Sequence, residues 1–203
     1  MDTLTIVLVV VVVAAIAAAI WFYLQKQRSQ HLRSKFGPEY DRAVRSEGDT
    51  RHGEQVLAAR QKRVEKLDIK PLSASQRDDF ARQWEQEQAH FVDEPAKAVD
   101  VADRLVQQVM QARGYPVSNF EQRVADVSVD HPVVVENYRV AHEIAIRRQQ
   151  EEVSTEELRK AMIHYRALFA DLLYDDGTQP VRKRTTEEKV RSEQNTKARG
   201  VGR

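Results

Sequence analysis

The apolar run from Leu4 to Leu24 constrains this chain more than any other stretch. From Ile6 to Leu24 no polar side chain intervenes except the phenol of Tyr23. An α-helix rises about 1.5 Å per residue, so the run approaches the roughly 30 Å hydrocarbon core of a bilayer. A helix of a water-soluble domain buries one stripe, whereas this one is apolar on every side, as contact with lipid demands. The run predicts a transmembrane helix over residues 4–24, with the lipid bilayer as its partner.

The flanks predict an orientation. Trp21, Phe22 and Tyr23 close the run, and Trp and Tyr favour the lipid–water boundary. Lys26, Arg28, His31, Arg33 and Lys35 follow with no acidic residue before Glu39. Short flanks rich in Lys and Arg stay on the cytoplasmic side, which places the N-terminus outside and the remainder of the chain in the cytoplasm. The rival reading is a cleaved signal peptide, which requires a basic n-region that Met1, Asp2 and Thr3 do not supply. Ala17, Ala18 and Ala19 imitate a cleavage site, but more apolar residues follow them. The pairs Ala14/Ala18 and Ala15/Ala19 have the small-x-x-x-small spacing of close helix pairs, and a homo-oligomer is a possible use of that face.

Composition bounds the rest. Of 203 residues, 32 are Lys or Arg and 31 are Asp or Glu, so no global field points to nucleic acid. Charged residues make up 31% of the chain against 7 Gly and 6 Pro, which suits solvated helices. With no Cys, disulfides, thiol catalysis and Cys-ligated metals are excluded.

Taken in order, residues 25–49 form a basic juxtamembrane segment and a short helix from Pro38, ended by Gly48-Asp49. Residues 50–174 form the expected bundle. Leu57, Val64 and Leu67 keep helical spacing over 50–67, and Pro71 stops the helix. Ser73 and Gln76 have capping-box spacing ahead of Phe80, Trp84 and Phe91, with Trp84 read as a core anchor. Asp93-Glu94-Pro95 opens the next helix with Asp93 as N-cap, and Val99, Ala102, Leu105, Val106, Val109 and Met110 make its stripe up to Gly114. Ser118 is the expected cap of a helix over Phe120, Val124 and Val127. Asp130-His131-Pro132 reads as a second Asp-x-Pro opener, followed by Val134, Val135, Tyr138, Ala141 and Ala145. Ser154 and Glu157 complete a capping box before the stripe Leu158, Ala161, Met162, Tyr165, Leu168, Phe169, Leu172 and Leu173. Residues 175–203 lose the apolar pattern and predict a disordered polar tail.

No stretch alternates like a strand. The expected fold is all-α: an N-terminal transmembrane helix, a small bundle of about five or six helices, and a disordered C-terminal tail.

Catalytic patterns are sparse. His142-Glu143 lacks the second His of the zinc-protease helix pattern. His131, His142 and His164 sit on separate elements and would have to converge to share a metal. Asp100 with Asp103, and Asp126 with Asp130, share helix faces and read as solvated charge. There is no glycine-rich phosphate loop, and the basic cluster Val181-Arg182-Lys183-Arg184 lacks stacking aromatics. No catalytic, cofactor-binding or metal-ligating residue is therefore expected.

Three segments together, FGPEYDRAV, GYPVSNFEQRVADVSVDHPVVVENYRVAH and STEELRKAMIHYRALFADLL, resemble a family of short bacterial proteins. That family has one N-terminal hydrophobic segment and an uncharacterised helical domain. The resemblance covers residues 36–173 and implies a bacterial cell membrane as location; it carries no activity or cofactor. The expected function is a non-enzymatic scaffold or interaction module with a protein partner. An outward-facing envelope domain and a ligand-binding bundle or enzyme with a dispersed site are the alternatives.

Overall fold

Local signals start and stop each helix, and the computed structural model follows most of them. It describes residues 3–116 and 118–175, with side chains from Val11 onward. The expected disordered tail, apart from Asp175, lies outside the described residues. Among the described residues the chain is helical throughout, with α1 (Thr3–Phe36), α2 (Pro38–Glu47), α3 (Thr50–Val64), α4 (Ala74–His90), α5 (Pro95–Arg113), α6 (Phe120–Asp130), α7 (Val135–Arg148) and α8 (Thr155–Tyr174). The chain divides into two compact units between Ala59 and Arg60, within α3.

In the first unit, α1 is one unbroken helix that carries the apolar run into a small folded base. Its C-terminal residues Leu32 and Phe36 are buried, as are Tyr40 and Ala43 of α2 and Leu57 of α3. Pro38 occupies the first turn of α2 after Gly37, as its fixed φ and missing N–H favour. Gly53 lets α3 approach α2 closely, because a Cβ there would meet the Val44 Cα at 2.9 Å. Among the described residues no helix is long and apolar enough to cross a membrane. The side chains of residues 4–10, which open the apolar run, are not among them.

The second unit is built around α8. All eight apolar positions expected of that helix are buried: Leu158, Ala161, Met162, Tyr165, Leu168, Phe169, Leu172 and Leu173. They meet the buried stripe of α5 and the inner face of α7, and α4 adds Trp84, which stacks on Phe169 with ring centroids 4.6 Å apart. Burying a large apolar side chain contributes about 1.5–3 kcal/mol before chain entropy is charged against it. Cross-helix contacts fix the directions. Arg147 meets Glu157 while Asn137 meets His164, so α7 and α8 run antiparallel, as their short connection favours.

Both expected capping boxes form, Ser73 with Gln76 and Ser154 with Glu157. Three other starts differ from expectation. Glu94, not Asp93, is the N-cap of α5, and it makes no side-chain cap bond; Pro95 already fixes the first turn. Asn119, not Ser118, caps α6, its amide oxygen accepting from the Gln122 N–H at 2.9 Å. Asp130-His131-Pro132 opens no helix. Asp130 ends α6, His131 donates its N–H to the Val127 carbonyl at 2.8 Å, and α7 starts only at Val135. The two Val residues before it therefore sit in the turn, where β-branching costs no helix stability. α3 ends at Val64 rather than Leu67, because Lys66 and Leu67 close turns onto Arg63 and Val64.

Candidate functional site

Charged side chains on these helices are not uniformly solvated: Glu39 and Glu54 are buried in the first unit, and in the second unit two groups of buried or half-buried polar side chains stand out. The first lies where α5, α6 and α8 end. The last carbonyls of a helix have no partner in the helix itself and carry its partial negative charge. Arg113, in the last turn of α5 and buried, answers that need for two helices. Its guanidinium donates to the Leu172 carbonyl in the last turn of α8 at 2.7 Å, and to the Asp175 carboxylate just past it at 2.7 Å. The Arg113 carbonyl accepts from the Lys70 N–H at 2.9 Å. Gly114 then turns the chain with φ +102°, and a Cβ there would stand 2.3 Å from the Asp68 carbonyl oxygen.

His131 sits beside this knot, also buried. Its Nδ1 donates to Asp171 at 2.6 Å, and its Nε2 lies 3.7 Å from Asp175 without a hydrogen bond. The Tyr115 hydroxyl donates to Asp130 at 3.0 Å, and burial first, then the Asp130 charge, pushes that phenol well above its usual range. An Asp–His pair supplies two of the three members of a nucleophile-activating triad, but here the second nitrogen is turned toward a carboxylate rather than a hydroxyl. The arrangement joins three helix ends electrostatically.

The second gathering is inside the bundle, around Asp103 of α5. This carboxylate accepts from Gln107 at 2.7 Å, faces the Tyr165 hydroxyl, and its charge acts on Tyr138 and His142. Burial, reinforced by Asp103, pushes the Tyr138 hydroxyl up to about 12, although Arg123 donates to it at 3.1 Å and works the other way. Burial also raises Tyr165, and holds His142 below its usual value. His142 stacks on Phe120 with ring centroids 3.7 Å apart and planes inclined by 14°. The buried His142 Nδ1 has no hydrogen-bond partner among the described residues.

Asp126, read from sequence as solvated, is 1% exposed. Its Oδ1 receives Arg63 at 3.0 Å and Gln122 at 2.8 Å. The burial is possible because the arginine arrives from the C-terminal turn of α3, which the periodicity of α6 does not reveal. Asp130, the other member of that pair, is engaged by Tyr115 as described. Asp100, on the face it shares with Asp103, pairs with Arg148 of α7. The three histidines are not brought together. His131 is held by Asp171, His142 stacks on Phe120, and His164 donates Nδ1 to Asn137 at 2.7 Å. Among the described residues no group of His, Asp and Glu side chains is placed to hold a metal ion.

Sequence reasoning did not single out Arg113 or Tyr115, and it read Tyr165 only as a core position of α8. Arg113 had one local signal, its place before Gly114 in a helix's last turn, where a cation favours the dipole. Its pairing with a residue 62 positions on had none. Compared with protein-family models, curated proteins and solved structures, the chain matches none.

Proposed function

We propose that this chain is a single-pass, membrane-anchored scaffold or interaction module of a bacterial cell membrane, without enzymatic activity. One observation carries the anchor. Val11, Val12, Val13, Ile16, Ile20, Trp21, Phe22, Tyr23 and Leu24 of α1 are 50–68% exposed. These positions face every side of the helix, and leaving that much apolar surface to water is costly. Lipid around residues 4–24 removes the cost. The basic stretch from Lys26 to Lys35 holds the folded units on the cytoplasmic side. The scaffold reading rests on how the buried charges are used: Arg113 ties α5 to α8, His131 ties the end of α6 to Asp171 of α8, and Asp126 ties α6 to Arg63 of α3, which stiffens the bundle. A rigid bundle with charged outer faces, held at a membrane, suits docking of a protein partner.

The test is a pair of C-terminal reporter fusions, one active only in the cytoplasm and one only outside, with the mature chain sized in parallel. A cytoplasmic signal from a full-length chain is expected. An outside signal, or a chain shortened by about twenty residues as signal removal would give, overturns the orientation. Crosslinked capture from detergent extracts, compared with a chain carrying the span alone, tests the scaffold role. A partner set identical to the span-only control refutes it.

A ligand-binding bundle is the second reading, favoured by the polar group Asp103, Tyr165 and His142 inside the bundle, in which His142 Nδ1 has no hydrogen-bond partner among the described residues. A small-molecule thermal-shift response present in the native chain and lost in Asp103→Asn would move the reading there.

A further inference from the structure

The first unit contains a cleft that neither the anchor nor the scaffold role requires. One wall is the stripe Trp21, Leu24 and Arg28 of α1, at helical spacing; the other is Arg51, Glu54 and Gln55 of α3. The cleft holds about 350 Å³ and opens to the outside. Along α1, Trp21 and Arg28 are separated by about 10 Å of helix rise. That is longer than one headgroup layer, since the two layers together add about 10–15 Å to the hydrocarbon core. On the anchor reading, the cleft therefore spans the boundary between acyl chains and water, with Trp21 and Leu24 at its apolar end.

The charges are arranged for an anion. Arg28 and Arg51 come from different helices, and among the described residues neither guanidinium has a hydrogen-bond or ion-pair partner. Arg33, only five residues from Arg28, is by contrast paired with Asp41 at 3.2 Å and lies over the Tyr40 ring. Glu54, the acidic residue of the wall, is already engaged, since its Oε1 accepts from the Tyr40 hydroxyl at 2.8 Å and from Ser29. Two unpaired guanidinium forks above an apolar floor match a phosphate diester carrying acyl chains.

We propose that this cleft binds the headgroup phosphate of an anionic phospholipid from the cytoplasmic leaflet. Arg28 and Arg51 grip the phosphate, while Trp21 and Leu24 pack on the glycerol and first methylenes. The bound lipid bridges α1 to α3 and fixes the folded base against the membrane. The proposal rests on the anchor reading and specifies a ligand for it.

The test uses the full chain in nanodiscs of phosphatidylcholine containing a minor fraction of phosphatidylglycerol. Lipids retained on the protein after mild detergent extraction are counted by native mass spectrometry. Retained phosphatidylglycerol is expected in excess over its bulk fraction. Arg28→Gln and Arg51→Gln should each lower that excess about tenfold, as loss of a charge-assisted hydrogen bond implies. Arg51→Lys, which keeps the charge and loses the fork, should fall between, and far-UV circular dichroism checks that each variant folds. Lys26→Gln and Lys35→Gln, outside the cleft, should stay within about twofold. Equal losses in the lysine and arginine variants would mean a diffuse basic field and overturn the site. Equal retention of both lipids would overturn it too. Displacement of phosphatidylglycerol by millimolar inorganic phosphate would assign the cleft to free phosphate instead. Flotation on vesicles after alkaline extraction separates the two readings. A chain that floats without selectivity loses only the cleft, and one that does not float loses the anchor and the proposal together.

Discussion

Arg113 is the side chain whose loss should cost the bundle most for its size. It is 3% exposed, and it satisfies the Leu172 carbonyl and the Asp175 carboxylate at 2.7 Å each. Arg113→Met keeps most of the buried stem and removes both donors. A buried carbonyl left without a partner costs about 1–3 kcal/mol. Breaking a buried ion pair from one side costs about 3–5 kcal/mol. Asp175 is 19% exposed and makes other contacts, so water and neighbours recover part of the second figure. The expected loss is therefore near the lower end, about 3 kcal/mol. In the full chain held in a mild detergent, urea unfolding followed by far-UV circular dichroism measures it directly. Arg113→Lys should lose roughly half as much, since one ammonium cannot hold both acceptors in a fixed fork. Combining Arg113→Met with Asp175→Asn should show a coupling of about 1–3 kcal/mol. A loss below about 1 kcal/mol for Arg113→Met, or a coupling of zero, would refute the idea that this arginine ties α5 to α8.

Three further outcomes follow from other sites. Gly114→Ala should destabilise the second unit by more than about 1 kcal/mol, from the positive φ and the Cβ placed against Asp68; faster hydrogen exchange of the Lys70 N–H would register it. Ser154→Ala removes the oxygen that accepts from the Glu157 N–H and should cost about 1 kcal/mol in the same urea assay. His142 is held below its usual 6.5 by burial first, with Asp103 opposing and Arg123 assisting. The unfolded chain thus takes up a proton at a higher pH than the folded one, so stability should fall as pH drops through 6.5 toward the lowered folded value and level off below it. His142→Gln should flatten that part of the stability profile, and an unchanged slope would exclude His142 as its source.

What was legible in the sequence was local. The Ser73 and Ser154 capping boxes, Pro38 and Pro95 in first turns, Gly114 at a helix end and the eight-residue stripe of α8 each act within a few residues. Their spacing therefore placed most helix starts and the core. The Asp-x-Pro signal at Asp130 failed because the α6 helix, already running, used Asp130 as its last residue and His131 as its cap. Local chemistry permitted both outcomes, and packing chose between them.

The charged residues divide differently. Asp126 and Asp130 lie on one helix face whether that face meets water or an arginine, and nothing within α6 distinguishes the two. Only the arrival of Arg63 makes Asp126 a buried partner, as only α8 gives Arg113 a carbonyl and a carboxylate to hold. The same holds for the cleft in the first unit. Arg28 belongs to a basic stretch readable from the sequence, but Arg51 reaches it only because α2 and α3 fold back along α1. Helix formation and the apolar run are set by neighbours in sequence, so the chain itself determined them. The partners of its buried charges are set by neighbours in space, and those only the tertiary structure could decide.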